Sequence, residues 1–184
     1  MTNKGYVRTA NSADIPIVAQ DMRDADVAEV QAYSGHTPEQ ALENGLTYPG
    51  CTTRSICLPT GVPVGMFGVV PTDQPKVGVI WMLASKGITQ IQRYFLRESR
   101  GEINGLIRGY DLVFNFTDAR NTTHHRWIKW AGFTILKKHQ NYGKEQTAVP
   151  RVRPHSGERL MCDPTLAMAG LSAVKSISAV KRPE

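Results

Sequence analysis

Tyr110 to Phe133, YDLVFNFTDARNTTHHRWIKWAGF, is the stretch that most narrows what this chain can fold into. Tyr110 to Thr117 is apolar, β-branched and aromatic, interrupted only by Asp111 and Asn115, which predicts a largely buried strand. Asp118 and Asn121 follow as N-caps, and Trp127, Ile128 and Ala131 form an apolar stripe at helical spacing. Gly132 supplies the left-handed residue that closes a helix, and Phe133 to Leu136 resumes as a strand. Strand, helix and strand in that order call for a central sheet with helices laid on it.

The rest of the chain is placed around that unit. Gly5 to Ala10 alternates as a first strand, and Asn11 to Asp14 offers capping residues before an apolar helix start at Ile15. Apolar residues recur at three- and four-residue steps from Ile15 to Tyr33, broken by the acidic run Arg23 to Asp26, so two short helices are expected. Thr37-Pro38-Glu39 starts another by N-cap and first-turn proline, running to about Leu46. Cys51 to Leu58 and Val62 to Val70 flank Pro59-Thr60-Gly61 and form an antiparallel hairpin. Val77 to Ala84 is nearly continuous apolar sequence and belongs at the centre of the sheet. Ile88 to Arg108 is one long amphipathic helix with Ile91, Tyr94, Phe95 and Ile103 inward. Its outward residues Arg93, Arg97, Arg100 and Arg108 have Glu98 and Glu102 as neighbours, so they form a solvated face first and a binding face second. Residues 137–159 carry six Lys/Arg against two Glu and two Pro, the make-up of a basic linker or arm, with a short strand at Gln146 to Val149. Asp163 and Pro164 then open a helix over the small and apolar residues to Val180. The division expected is a domain over 1–145 and a basic linker with a C-terminal helix or tail over 146–184.

Composition limits the function classes. Hydrophobic residues make up 41% and charged residues 21%, and no apolar run reaches the roughly 20 residues of a membrane span. The first residues, MTNKGYVRTANSADI, lack the apolar core of a signal peptide, so the cytoplasm is the expected compartment. Cys51, Cys57 and Cys162 have no metal-ligand spacing, and reduced thiols are expected. Residues 1–50 hold 3 Lys/Arg against 7 Asp/Glu, whereas residues 51–184 hold 19 against 9. That asymmetry points the later part at acidic partners, with Arg93, Arg97, Lys137, Lys138, Arg151 and Arg153 as candidate protein or DNA contacts. His124 and His125 are adjacent on a helix and point about 100 degrees apart, so they do not ligate one ion together.

The spacing from Asn121 through position 124 to Trp127, Ile128 and Gly132-Phe133 resembles the N-x-x-A-x-x-L-Y-x-x-x-G-F signature of GNAT-type N-acetyltransferases. Together with FLRESRGEINGLIRG before it, the stretch is also similar to the GNAT-like internal virion protein A family of short-tailed bacteriophages. The resemblance covers roughly residues 5 to 140 and implies an α/β fold. Its central mixed sheet would have about six or seven strands, with helices on both faces.

In active GNAT relatives a Q/R-x-x-G-x-G/A loop between the central strand and the next helix meets the pyrophosphate of coenzyme A. Here that stretch is Ser85 to Gln92 with the single Gly87, which does not match. The tyrosine that protonates the leaving thiolate falls at Ile128, which has no exchangeable proton. Two functions follow. The first is a non-enzymatic phage virion or assembly component, using an acetyltransferase scaffold to contact other virion proteins in the host cytoplasm or the particle, with no cofactor. The alternative is an active N-acetyltransferase holding acetyl-CoA through the backbone of Met82, Leu83 and Ala84, through Lys86, Gly87 and Gln92, and through Asn121.

Overall fold

The computed structural model describes residues 4–118, 122–142 and 174–181. The strands are β1 (Tyr6–Thr9), β2 (Thr52–Cys57), β3 (Pro63–Pro71), β4 (Val77–Ala84), β5 (Leu112–Asp118), β6 (Thr134–Tyr142) and β7 (Val174–Lys181). The helices are α1 (Asp14–Gln20), α2 (Asp24–Ser34), α3 (Pro38–Thr47), α4 (Gln92–Leu106) and α5 (Thr122–Trp130), with a 3-10 turn at Lys86–Ile91 leading into α4. The strands form one seven-stranded sheet in the order β1-β2-β3-β4-β5-β7-β6. Neighbours are antiparallel except β4 and β5, which are parallel because α4 carries the chain back between them. The α/β arrangement with a mixed sheet is the one the sequence implies.

Local chemistry explains the helix boundaries. Thr37 and Gln40 form a reciprocal capping box at the start of α3, with bonds of 3.3 and 2.9 Å, and Pro38 fills the first turn. Two helices stand where two were expected, but the break falls at Asp21–Arg23, one step before the acidic run, whose Asp24 and Asp26 form the first turn of α2; Gly132 takes φ 91° where α5 ends. The long helix expected from Ile88 begins instead as a 3-10 turn and becomes α-helical only at Gln92.

The C-terminal segment is a correction. Residues 174–181, expected as part of a C-terminal helix or tail, are strand β7, inserted between β5 and β6. The Ser-spaced Val and Ile of VKSISAVK favour a pleated strand, and pairing on both sides satisfies its backbone. The half of that helix before residue 174 and the strand at Gln146 to Val149 lie outside the described residues. Lys181 is 3% exposed and donates from Nζ to Ala131 C=O at 2.5 Å, placing a cation at the C-terminal end of α5.

The sheet has two covered faces. Ile80 and Ala84 of β4 pack with Ile91, Ile103 and Ile107 around α4 and with Ile128 of α5. Trp81 and Leu83 face the other way, onto Val18, Leu42 and the helices α1 and α3. Gly45 permits α3 to approach this closely, since a Cβ there would lie 2.3 Å from the Trp81 ring. Among the described residues, no helix is long and apolar enough to cross a membrane.

Candidate functional site

The site is made by two strands that start together and part. β4 and β5 pair only over Val77–Val79 and Leu112–Phe114, although β4 runs on to Ala84 and β5 to Asp118. A continued parallel ladder would give the Phe116 N–H to Ile80 C=O; it goes instead to the Asn115 side-chain oxygen at 2.7 Å. Strand alternation aims the backbone groups of Met82 into the resulting gap, whereas Leu83 directs its own at Met66 on β3.

The far end of β4 is bound by the turn between α1 and α2. Ala84 N–H donates to Asp26 Oδ2 at 2.9 Å, and Ala84 C=O accepts from Arg23 N–H at 3.0 Å. Met22 bridges Ser85 in antiparallel fashion, and Lys86 N–H donates to Asp21 C=O at 2.8 Å. Asp26 is 4% exposed and also takes the Arg23 guanidinium. Burial pushes its carboxyl above the ordinary value against the pull of Arg23 and the Ala84 N–H.

Two clefts open on the gap, one from each face of the sheet. The first, about 840 Å³ counted to its open mouth, runs beneath α4 and α5. Its polar lining includes Asp26, Glu29, Tyr94, Glu98, Asn115 and His124, over a floor with Phe67, Ile80 and Met82. The second, about 750 Å³, lies on the α2 and α3 side and brings Tyr33, Ser34 and Asn44 to Trp81 and Phe116. Glu29, Trp81, Met82 and Asn115 line both, so the clefts meet at the parted strands. Glu29 is the one titratable side chain shared by the two among the described residues.

Around this junction the aromatic rings are ordered. Phe95 of α4 stacks on Trp127 of α5 at 5.5 Å between centroids, and His124 tilts against Trp127 at 5.5 Å. Burial, then the nearby charges of Arg23 and His125, lower the His124 pKa to about 4, so its ring is neutral at neutral pH. Burial likewise pushes Tyr33 up to about 12, keeping its hydroxyl protonated.

The candidates from sequence therefore separate. Met82 faces the gap, Leu83 is turned to β3, and Ala84 is engaged by Arg23 and Asp26. Lys86 pairs with Asp24 at 3.0 Å, Gly87 is pressed on Val64, and the Gln92 N–H donates to Thr89 C=O. Arg93 and Arg97 lie on the exposed side of α4, with Arg97 paired to Glu98 at 2.5 Å. Lys137 and Lys138 fall on β6, while Asn121, Arg151 and Arg153 lie outside the described residues. Ile128 is 5% exposed and part of the core. No group of three or more His, Cys, Asp or Glu able to hold a metal occurs among the described residues. Sequence reasoning missed Asp26, Glu29 and Asn115 as site residues. Asn115 had a signal, being a polar interruption in a strand otherwise apolar; Asp26 and Glu29 had none, because their helix shows no strong amphipathic pattern.

No family model and no curated protein matches the chain. Solved structures do. Spermidine N-acetyltransferase from Vibrio cholerae, in complex with CoA and spermine, matches with TM-score 0.62 and 7% identity, over 98% of this chain and 96% of that one. A phosphinothricin acetyltransferase from Sinorhizobium meliloti, in complex with AcCoA, matches at 0.61 and 14%, over 100% and 89%. The ribosomal-protein-S18-alanine N-acetyltransferase from Escherichia coli matches at 0.60 and 11%, over 98% and 94%. This chain has the GNAT acetyltransferase fold. At these identities the likeness establishes the fold and no more. None of these three structures is a phage virion protein.

Proposed function

We propose that this chain is an N-acyltransferase that moves an acyl group from a thioester to an amine. The observation that carries the reading is the early end of the β4–β5 ladder at Val79 and Phe114, with a cleft reaching the gap from each face. Such a gap accepts an extended, amide-bearing arm, because Met82 offers a strand's hydrogen-bonding groups there. The pantetheine portion of acetyl-CoA fits that description. Its diphosphate portion does not fit the turn after β4, where the amides of Ala84 and Lys86 are already bonded.

A thioester supplies an acyl carbon open to attack by an amine. Glu29, at the meeting of the two clefts, is placed to hold the proton an ammonium must lose before it can react. Asn115 spends its oxygen on Phe116 N–H, which leaves its amide hydrogens to hold a carbonyl. Neutral His124 adds no positive charge to repel an incoming ammonium. Ile128 offers no proton, so positioning and Glu29 carry the chemistry. Acyl transfer to a panel of primary amines, read by mass spectrometry, tests this. Glu29→Gln should lower kcat/KM by about 10²–10⁴. Transfer at an undiminished rate in that variant would remove Glu29 from the mechanism.

A second reading keeps the scaffold and drops the chemistry, as a virion or assembly component that contacts other proteins, or DNA through Arg93 and Arg97. Ile128 and the occupied amides after β4 favour it. A wild-type protein inert toward every thioester and amine would support it, and DNA retention that weakens steeply with salt would support the DNA contact.

A further inference from the structure

We infer that the acyl donor is held by its pantetheine arm alone, and that the chain has no seat for a nucleotide diphosphate between β4 and α4. The inference rests on the acyltransferase reading and narrows its donor to the class of thioesters on a pantetheine-length arm, irrespective of what lies beyond that arm.

A diphosphate needs several N–H groups converging on one point, and helix N-termini after a strand supply them when the first turn is open. Here the turn is closed. Lys86 N–H is spent on Asp21 C=O at 2.8 Å, Ile88 N–H on Ser85 C=O at 3.2 Å, and Gln92 N–H on Thr89 C=O. From Ile88 onward the 3-10 turn bonds its N–H groups to carbonyls three residues back, and α4 continues from it at once. The helix therefore presents no ring of unpaired amides. Gly87, the single glycine of the turn, is not an open approach either, since a Cβ there would lie 2.8 Å from Val64 Cγ1.

Charge works in the same direction. The segment laid along this end of β4 brings carboxylates to it: Asp26 on the Ala84 N–H and Asp24 3.0 Å from Lys86 Nζ. Asp21 adds its charge to the surroundings of Lys86. The turn's lysine is thus already balanced, and a diphosphate would meet carboxylates where it needs donors. The gap itself is untouched by this, because Met82 lies two residues short of Ala84. The transfer is unchanged as well. With the ammonium's first proton already on Glu29, the carbon–sulfur bond breaks as the carbon–nitrogen bond forms, and the amine's second proton leaves with the sulfur, which departs as the thiol.

The test compares acetyl-CoA, S-acetylpantetheine and S-acetyl-N-acetylcysteamine with the full chain, as donors to one amine and as ligands by calorimetry. The expected result is that acetyl-CoA and S-acetylpantetheine agree within about threefold in kcat/KM and Kd, and that Lys86→Ala leaves their ratio unchanged. Lys86 is exposed, so this variant keeps the fold. An advantage of about tenfold or more for acetyl-CoA, lost in Lys86→Ala, would show a diphosphate seat and overturn the inference alone. Failure of all three to bind would overturn the acyltransferase reading and the inference with it.

Discussion

The two ends of the β4–β5 pair are built from the same strands and do opposite things. At the first end, Val77–Val79 lie in register with Leu112–Phe114, and Val113 of that ladder and Ile107 of the same core are wholly buried. At the second end the strands have no mutual partners, and Asp26, Glu29, Asn115 and His124 join the apolar side chains that line the opening. Hydrophobic burial closes the first end. The second stays parted because other groups satisfy its backbone: Asn115 takes Phe116 N–H, while Arg23 and Asp26 take both groups of Ala84. One molecule thus divides a single strand pair into a part that holds the fold and a part that can admit a ligand.

That division can be broken by substitution, and the largest loss belongs to the closed end. Ile107→Ala should cost about 2–5 kcal/mol in urea unfolding, since Ile107 is fully enclosed. Asn115→Ala, at the open end, should cost only about 0.5–1.5 kcal/mol, the worth of one hydrogen bond. Equal losses would erase the distinction. Asp26→Ala should fall between the two, at about 1–3 kcal/mol, by stranding the Ala84 N–H and the Arg23 guanidinium, the latter a third exposed. If the gap is held open by this turn, the same variant should also change thioester affinity, whereas Ile107→Ala in its folded fraction should not.

The smallest effect is one of pH. The His124 pKa is lowered to about 4 from an ordinary 6.5, so the unfolded chain takes up this proton before the folded one does. Its contribution is therefore intact at neutral pH and falls as the pH drops from 6.5 toward 4. Unfolding midpoints measured across that window should decline less steeply in His124→Gln than in the parent. Identical slopes would place His124 in water and out of the cleft.

Much of this was legible in the chain because it rests on local rules. The division of α1 from α2, the helix end at Gly132, the capping box at Thr37, the β2–β3 hairpin and the apolar β4 all follow from neighbours in sequence. The strand at Val174–Lys181 was not, because its small and apolar residues suit a helix equally well until β5 and β6 offer edges on both sides. The gap was invisible for a related reason. Whether two strands continue to pair depends on what else reaches their amides, and here that is a turn some 60 residues earlier, at Arg23 and Asp26. Glu29 carries no mark in the sequence, because only the fold brings it to both clefts.

The most direct test of the account follows backbone amide signals of the full chain by NMR as S-acetylpantetheine is added. Binding in the gap should move Met82 and Phe116 in a saturable way, together with the Asn115 side-chain amide, while Val79 and Val113 stay fixed. Saturable shifts confined to the outer face of α4, or none at any concentration, would contradict it.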